Sequence, residues 1–164
     1  MTEASRLRLE PRGNGIMRSA PDNSATRTIS VFFYGLYMDP DVLKGKNVEP
    51  RDGRPAVAEG YSLRIGRKAT LLRMRGAVAS GMVYSITHAE LDRLYWGAGL
   101  AEYRAEPLLV RTLDGEFLPV LCCNLLQAPA EHEENPEYAQ SLREAMIRAD
   151  LPGPFPDVSK LETR

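Results

Sequence analysis

Five consecutive residues, Tyr34-Gly35-Leu36-Tyr37-Met38, follow a run of branched and aromatic side chains. A strand ending there leaves the amides of Leu36, Tyr37 and Met38 without ladder partners, and Gly35 lets another group approach the backbone closely. Such a loop can hold a carboxylate or a developing oxyanion. The same residues also fit a plain strand-to-helix turn in which Gly35 is a conformational hinge. Other chemistry finds less support. His88 and His132 have no second His or Cys at ligand spacing. No serine stands in a Gly-x-Ser-x-Gly context. Cys122 and Cys123 are adjacent within an apolar run, which disfavours a disulfide between them and reads as two small core residues of a strand.

The elements that must position this loop belong to one ordinary domain. The chain has 164 residues, 43% hydrophobic and 26% charged, enough for a core without disulfide or metal staples. A net charge of -1 supplies no field for a phosphate backbone, so no nucleic-acid partner is expected. No apolar stretch approaches the ~20 residues needed to cross a bilayer, so no membrane partner is expected either. The N-terminus lacks an apolar signal-peptide core, and cysteine usage points to a cytoplasmic location.

Residues 1–28 read as a flexible tail. Arg6, Arg8, Arg12, Arg18 and Arg27 raise the question of a transit peptide, but Glu3, Glu10 and Asp22 argue against one. The domain spans 29–164. Strand-like runs cover 29–34, 56–65, 69–74, 78–86, 104–112 and 117–126. Asp39-Pro40 caps a short helix. Thr87-His88-Ala89-Glu90 is a capping box opening a helix that Gly97 and Gly99 stop. Asp114-Gly115 marks a tight hairpin. Asn135-Pro136 starts a last helix whose apolar stripe is Tyr138, Leu142, Ala145, Met146 and Ala149. The fold class is α/β of the α+β type: a mixed, mostly antiparallel six-stranded curled sheet or small barrel flanked by helices.

Four features in order resemble the gamma-glutamylcyclotransferase family. They are Val31-Phe32-Phe33-Tyr34-Gly35 with its following loop, and the strand Ser80-Gly81-Met82-Val83-Tyr84. Then come Glu90-Leu91-Asp92-Arg93-Leu94 with Gly99 and Tyr103-Arg104, and Pro136-Glu137-Tyr138 with Leu151-Pro152. The resemblance covers about residues 30–162. It implies an internal acyl transfer: the α-amine of a γ-glutamyl group attacks its own γ-carbonyl, giving 5-oxoproline and a free amine or amino acid. It implies no metal or organic cofactor. It places Tyr34, Gly35, Leu36, Tyr37, Met38 and Tyr103 at the substrate.

The pattern also departs from that family. There, a Glu directly before the glycine of the post-helix turn acts as base, and the corresponding residue here is Ala98. Leu36 and Tyr37 replace a small polar pair. Losing a general base costs on the order of 10²–10⁴-fold in rate. Glu102, four residues on, is the candidate replacement; Glu59 and Glu106 are further carboxylates, and solvent is the ordinary place for each. Three functions compete. One is a pocket for a small γ-glutamyl or other carboxylate-bearing metabolite with weak or no turnover. The second is an active cyclotransferase with a displaced base. The third is another acyl-transfer or amide-cleaving enzyme suited to a more apolar substrate. Oligomeric state stays open.

Overall fold

The computed structural model describes residues 22–161. Most of the tail expected over 1–28 therefore lies outside the described residues. Within its described part, the carbonyls of Ser24 and Arg27 accept hydrogen bonds from the amides of Ala89 and His88, at 3.0 and 3.2 Å.

Five strands close into a barrel in the order β1-β3-β2-β4-β5. They are β1 (Thr28–Phe33), β2 (Arg51–Ile65), β3 (Ala69–Thr87), β4 (Tyr103–Thr112) and β5 (Phe117–Leu125). All neighbours are antiparallel except β1 and β5, which close the barrel in parallel at Val31 and Leu121. A 3₁₀ turn (Leu36–Met38) and helix α1 (Pro40–Gly45) follow β1; α2 (His88–Leu94) follows β3; α3 (Pro136–Arg148) closes the domain.

The architecture agrees with the α+β reading, with five strands in place of six. Runs 69–74 and 78–86 are one strand, β3. Opposite it, the register jumps from Glu59↔Val78 to Tyr61↔Arg73, so the single residue Gly60, at φ 82°, faces four on β3. This bulge bends the hairpin without breaking it, whereas the sequence pattern shows only a polar interruption. β2 also starts earlier than the expected run 56–65, at Arg51.

Alternation along the strands splits the core in two. Phe32, Ala58, Ala79, Val83, Val110 and Val120 fill the barrel lumen. Val31, Phe33, Ile86, Leu94, Leu142 and Met146 pack between the barrel wall and the helices. Fully burying one such side chain contributes roughly 1.5–3 kcal/mol. Four alanines (Ala56, Ala58, Ala69, Ala79) leave lumen space for the Phe32 ring. Gly81 is required by the same ring: a Cβ there would stand 2.8 Å from it and collide with the Phe33 carbonyl.

The expected caps form. The Thr87 hydroxyl accepts from the Glu90 amide at 3.1 Å, and Glu90 accepts from the Thr87 amide at 2.8 Å. Glu90 also takes the Glu49 amide and the Arg51 guanidinium, tying the entry of β2 to α2. Burial pushes this carboxyl up, but the amides and the guanidinium outweigh it and hold it below its ordinary value.

Candidate functional site

The Tyr34-to-Met38 loop leaves the barrel where β1 and β5 end and β4 begins. A cavity of about 290 Å³ opens there. Its walls are aromatic: Phe33, Tyr34, Tyr37, Tyr95, Tyr103 and Tyr138. The rings brace one another edge to face, with Tyr37 and Tyr95 centroids 5.6 Å apart and Tyr95 and Tyr103 tilted at 5.3 Å. Lys46, from the end of α1, brings charge, and Lys68, from the β2–β3 turn, brings an ammonium already paired with Glu102. Among the described residues no carboxylate lines this space.

Most phenol hydroxyls are already committed. Tyr34 donates to the Cys123 carbonyl at 2.6 Å, Tyr37 to Leu94 at 3.0 Å and Tyr103 to Ala69 at 2.6 Å. These bonds fix the rings as walls. Burial raises all five tyrosines above their ordinary value, so they stay neutral and act as donors.

Tyr138 is different. The Asn135 side chain caps α3 by accepting the Tyr138 amide at 3.2 Å, and Pro136 sits in the first turn. That start swings the Tyr138 ring over the loop, where its oxygen accepts from the Leu36 amide at 3.1 Å. A Cβ on Gly35 would lie 2.5 Å from this hydroxyl. Gly35 itself has φ -104°, open to any residue. It is therefore glycine for close approach rather than as a hinge, and the group that approaches is Tyr138.

The loop amides consequently differ from the expectation. The Leu36 amide bonds Tyr138, and the Met38 amide bonds the Gly35 carbonyl at 2.9 Å. The Tyr37 amide has no acceptor among the described residues. Met38 is fully buried below the cavity, where its carbonyl accepts the Tyr84 hydroxyl, and it lines no part of the space. Tyr34, Gly35, Leu36, Tyr37 and Tyr103 all line it.

The carboxylates fall elsewhere. Glu102 pairs with Lys68 at 2.7 Å and faces a neighbouring groove with Arg104. The hydrogen bond from Lys68 holds it below its ordinary value, which weakens it as a base. Glu59 pairs with Arg111, and Glu106 accepts from Asn124. Ala98 is exposed on the turn after α2; Tyr95 and Leu100 from that turn reach the cavity instead. Tyr95 is buried and its neighbour Trp96 is partly exposed. The sequence reading left Tyr95 and Trp96 open between core and cavity wall, and Tyr95 is the one that is both buried and in the wall. It missed Lys46, Lys68 and Tyr138 as site residues; of these only Tyr138 carried a signal, from its place in the capped start of α3.

A larger groove of about 570 Å³ runs between the β2–β3 hairpin and the segment after α3. Of its two cations, Arg64 donates to the carbonyls of Ala130 and Glu133 and Lys160 pairs with Glu134, so the groove has less to offer a ligand. Cys122 and Cys123 are buried free thiols, and burial pushes Cys123 up to about 12, which makes it a poor nucleophile. Among the described residues no cluster of His, Cys, Asp or Glu is placed to hold a metal, and no helix is long and apolar enough to cross a membrane.

No protein-family model matches this sequence, and no curated protein matches it as a relative. Solved structures do. A gamma-glutamyl cyclotransferase superposes with a TM-score of 0.65 at 16% identity, over 77% of this chain and 82% of the other. An uncharacterized protein from Homo sapiens gives 0.63 at 16%, over 76% and 82%. YkqA from Bacillus subtilis gives 0.63 at 24%, over 84% of this chain and 54% of YkqA. Identities this low speak for the path of the backbone, and that path, with its closed mixed barrel and helix-covered end, is the gamma-glutamyl cyclotransferase-like fold.

Proposed function

We propose that this chain binds a small carboxylate-bearing metabolite in the tyrosine-walled cavity and turns it over weakly or not at all. The observation that carries this reading is the lining itself: two lysines, neutral phenols and no carboxylate among the described residues. Gly35, Leu36, Tyr37, Tyr103 and Tyr138 form the contact surface, and Lys46 supplies the counter-charge, the Lys68 ammonium being paired with Glu102. A cyclisation needs a base to take a proton from the attacking ammonium. Ala98 stands where the resemblance puts that base, and Glu102 is turned toward Lys68 outside the cavity. The tyrosines whose hydroxyls are tied to backbone carbonyls support a preformed pocket of metabolite size. The free buried thiols support a cytoplasmic location.

The test has two arms on purified protein. Incubation with a panel of γ-glutamyl amino acids and amines is expected to give no 5-oxoproline above the uncatalysed level. Small carboxylates are expected to raise the melting temperature by a few degrees, since ligand at ten times Kd adds roughly 1.4 kcal/mol. Lys46→Met with Lys68→Met should remove that shift. Rapid 5-oxoproline release would overturn the reading, and its loss in Glu102→Gln would then identify Glu102 as the base.

A further inference from the structure

The solvated face of an antiparallel sheet is ordinarily polar, and the β4–β5 ribbon breaks that rule. Leu108, Val110 and Val120 point into the lumen, so alternation turns Ala105, Pro107 and Leu109 of β4, and Phe117 and Pro119 of β5, outward. Leu113 flanks them in the turn. All six are apolar and exposed, Leu109 and Phe117 to 59% and Leu113 to 49%. Register sets them side by side: Leu109 stands opposite Pro119, and Phe117 opposite Arg111. Farther along β5 the same face, at Leu121 and Cys123, joins the helix-covered core. Among the described residues nothing covers the stretch before it.

Shape, charge and area point to one occupant. The face is the outside of a barrel wall, and none of the six residues lines any of the three cavities, so it encloses no small molecule and offers no groove to a helix. Its rim is paired within the chain: Arg111 with Glu59, and Arg54 with Asp114 and Glu116. Such a rim selects no charged partner and does not repel its own image. A standard interface covers about 800 Å² per partner, a little over half of it apolar. The exposed parts of the six side chains come to on the order of 400 Å² per copy, close to that apolar share. We propose that this face is the two-fold interface of a homodimer, one β4–β5 ribbon laid on the other, with Leu109 and Phe117 at its centre. The interface is separate from the tyrosine-walled cavity and does not rest on what binds there.

Sedimentation velocity on the full chain, from about 1 to about 100 μM, reads the assembly. The native protein is expected at twice the chain mass in the upper part of that range and to dissociate on dilution. Leu109→Glu with Phe117→Glu sets four like charges at the two-fold, and should weaken association at least about hundredfold while circular dichroism shows a folded chain. Leu109→Ser with Phe117→Ser adds no charge, so it decides the matter if the glutamates disturb folding; a loss of about tenfold is expected. Ile147→Glu is the control. It alters a side chain of similar exposure, 56%, on α3, and should leave the dimer intact. A native chain that stays monomeric throughout the range overturns the proposal, whatever else covers the face. A dimer that survives both double variants, or that Ile147→Glu breaks, overturns it as well.

Discussion

The barrel lumen and the cavity at its end are walled partly by the same strands, and they solve opposite problems. In the lumen, Phe32 fills space left by alanines and Gly81, with side-chain atoms in contact throughout. In the cavity, space is kept open. Its aromatic rings cannot collapse because their hydroxyls are tied to carbonyls of Cys123, Leu94 and Ala69. Shape complementarity holds one region and hydrogen-bonded scaffolding holds the other. Each region has a glycine crowded by its neighbours, but what crowds it differs. At Gly81 a Cβ collides with backbone; at Gly35 it meets the far end of one side chain.

That contrast can be broken by substitution. Gly81→Ala has no flexible neighbour to yield, and is expected to cost about 3 kcal/mol or more, or to prevent folding. Denaturant titration measures it, and a loss below about 1 kcal/mol would end the claim that the lumen is rigidly packed. Glu90→Ala, on the helix-covered side, removes the acceptor of the Thr87 and Glu49 amides, while Arg51, 41% exposed, keeps the Glu49 carbonyl; about 1–2 kcal/mol is expected at neutral pH. This side also answers to acid. Because folding lowers the Glu90 carboxyl below its ordinary 4.5, its contribution is present above that pH and drains away as pH falls through the lower, folded value. Glu90→Gln should flatten that part of the stability profile.

Smaller effects sharpen the comparison. Gly35→Ala should cost about 1–2 kcal/mol, because the Tyr138 hydroxyl can be displaced where a backbone carbonyl cannot. Tyr138→Phe alone should cost about 1 kcal/mol, by orphaning the Leu36 amide. Combined with Gly35→Ala it should cost less than the sum of the two, since the clashing oxygen is gone. A double-mutant cycle by chemical unfolding gives the coupling; strict additivity would mean that Tyr138 and Gly35 do not touch in solution.

Much of this protein was legible in its sequence, for a local reason. Capping residues satisfy amides within three positions of themselves, so Asp39-Pro40, Thr87 with Glu90, and Asn135-Pro136 declare helix starts without help from the fold. Alternation and the Asp114-Gly115 turn likewise declare strands and a hairpin. The β3 bulge was not legible, because Gly60 and the four residues opposite it define one feature only after the strands pair.

The site divides along the same line. Sequence by itself determined that a glycine loop ends β1, and the family resemblance raised the expectation that Ala98 stands at the base position. Tertiary structure decided what the loop faces. Tyr138 stands 102 positions after Leu36, and Lys46, Lys68 and Tyr103 come from three other segments. No local pattern encodes those meetings. They exist because the barrel closes and α3 packs across its end, and that packing makes Gly35 a seat for the Tyr138 hydroxyl and leaves Glu102 outside.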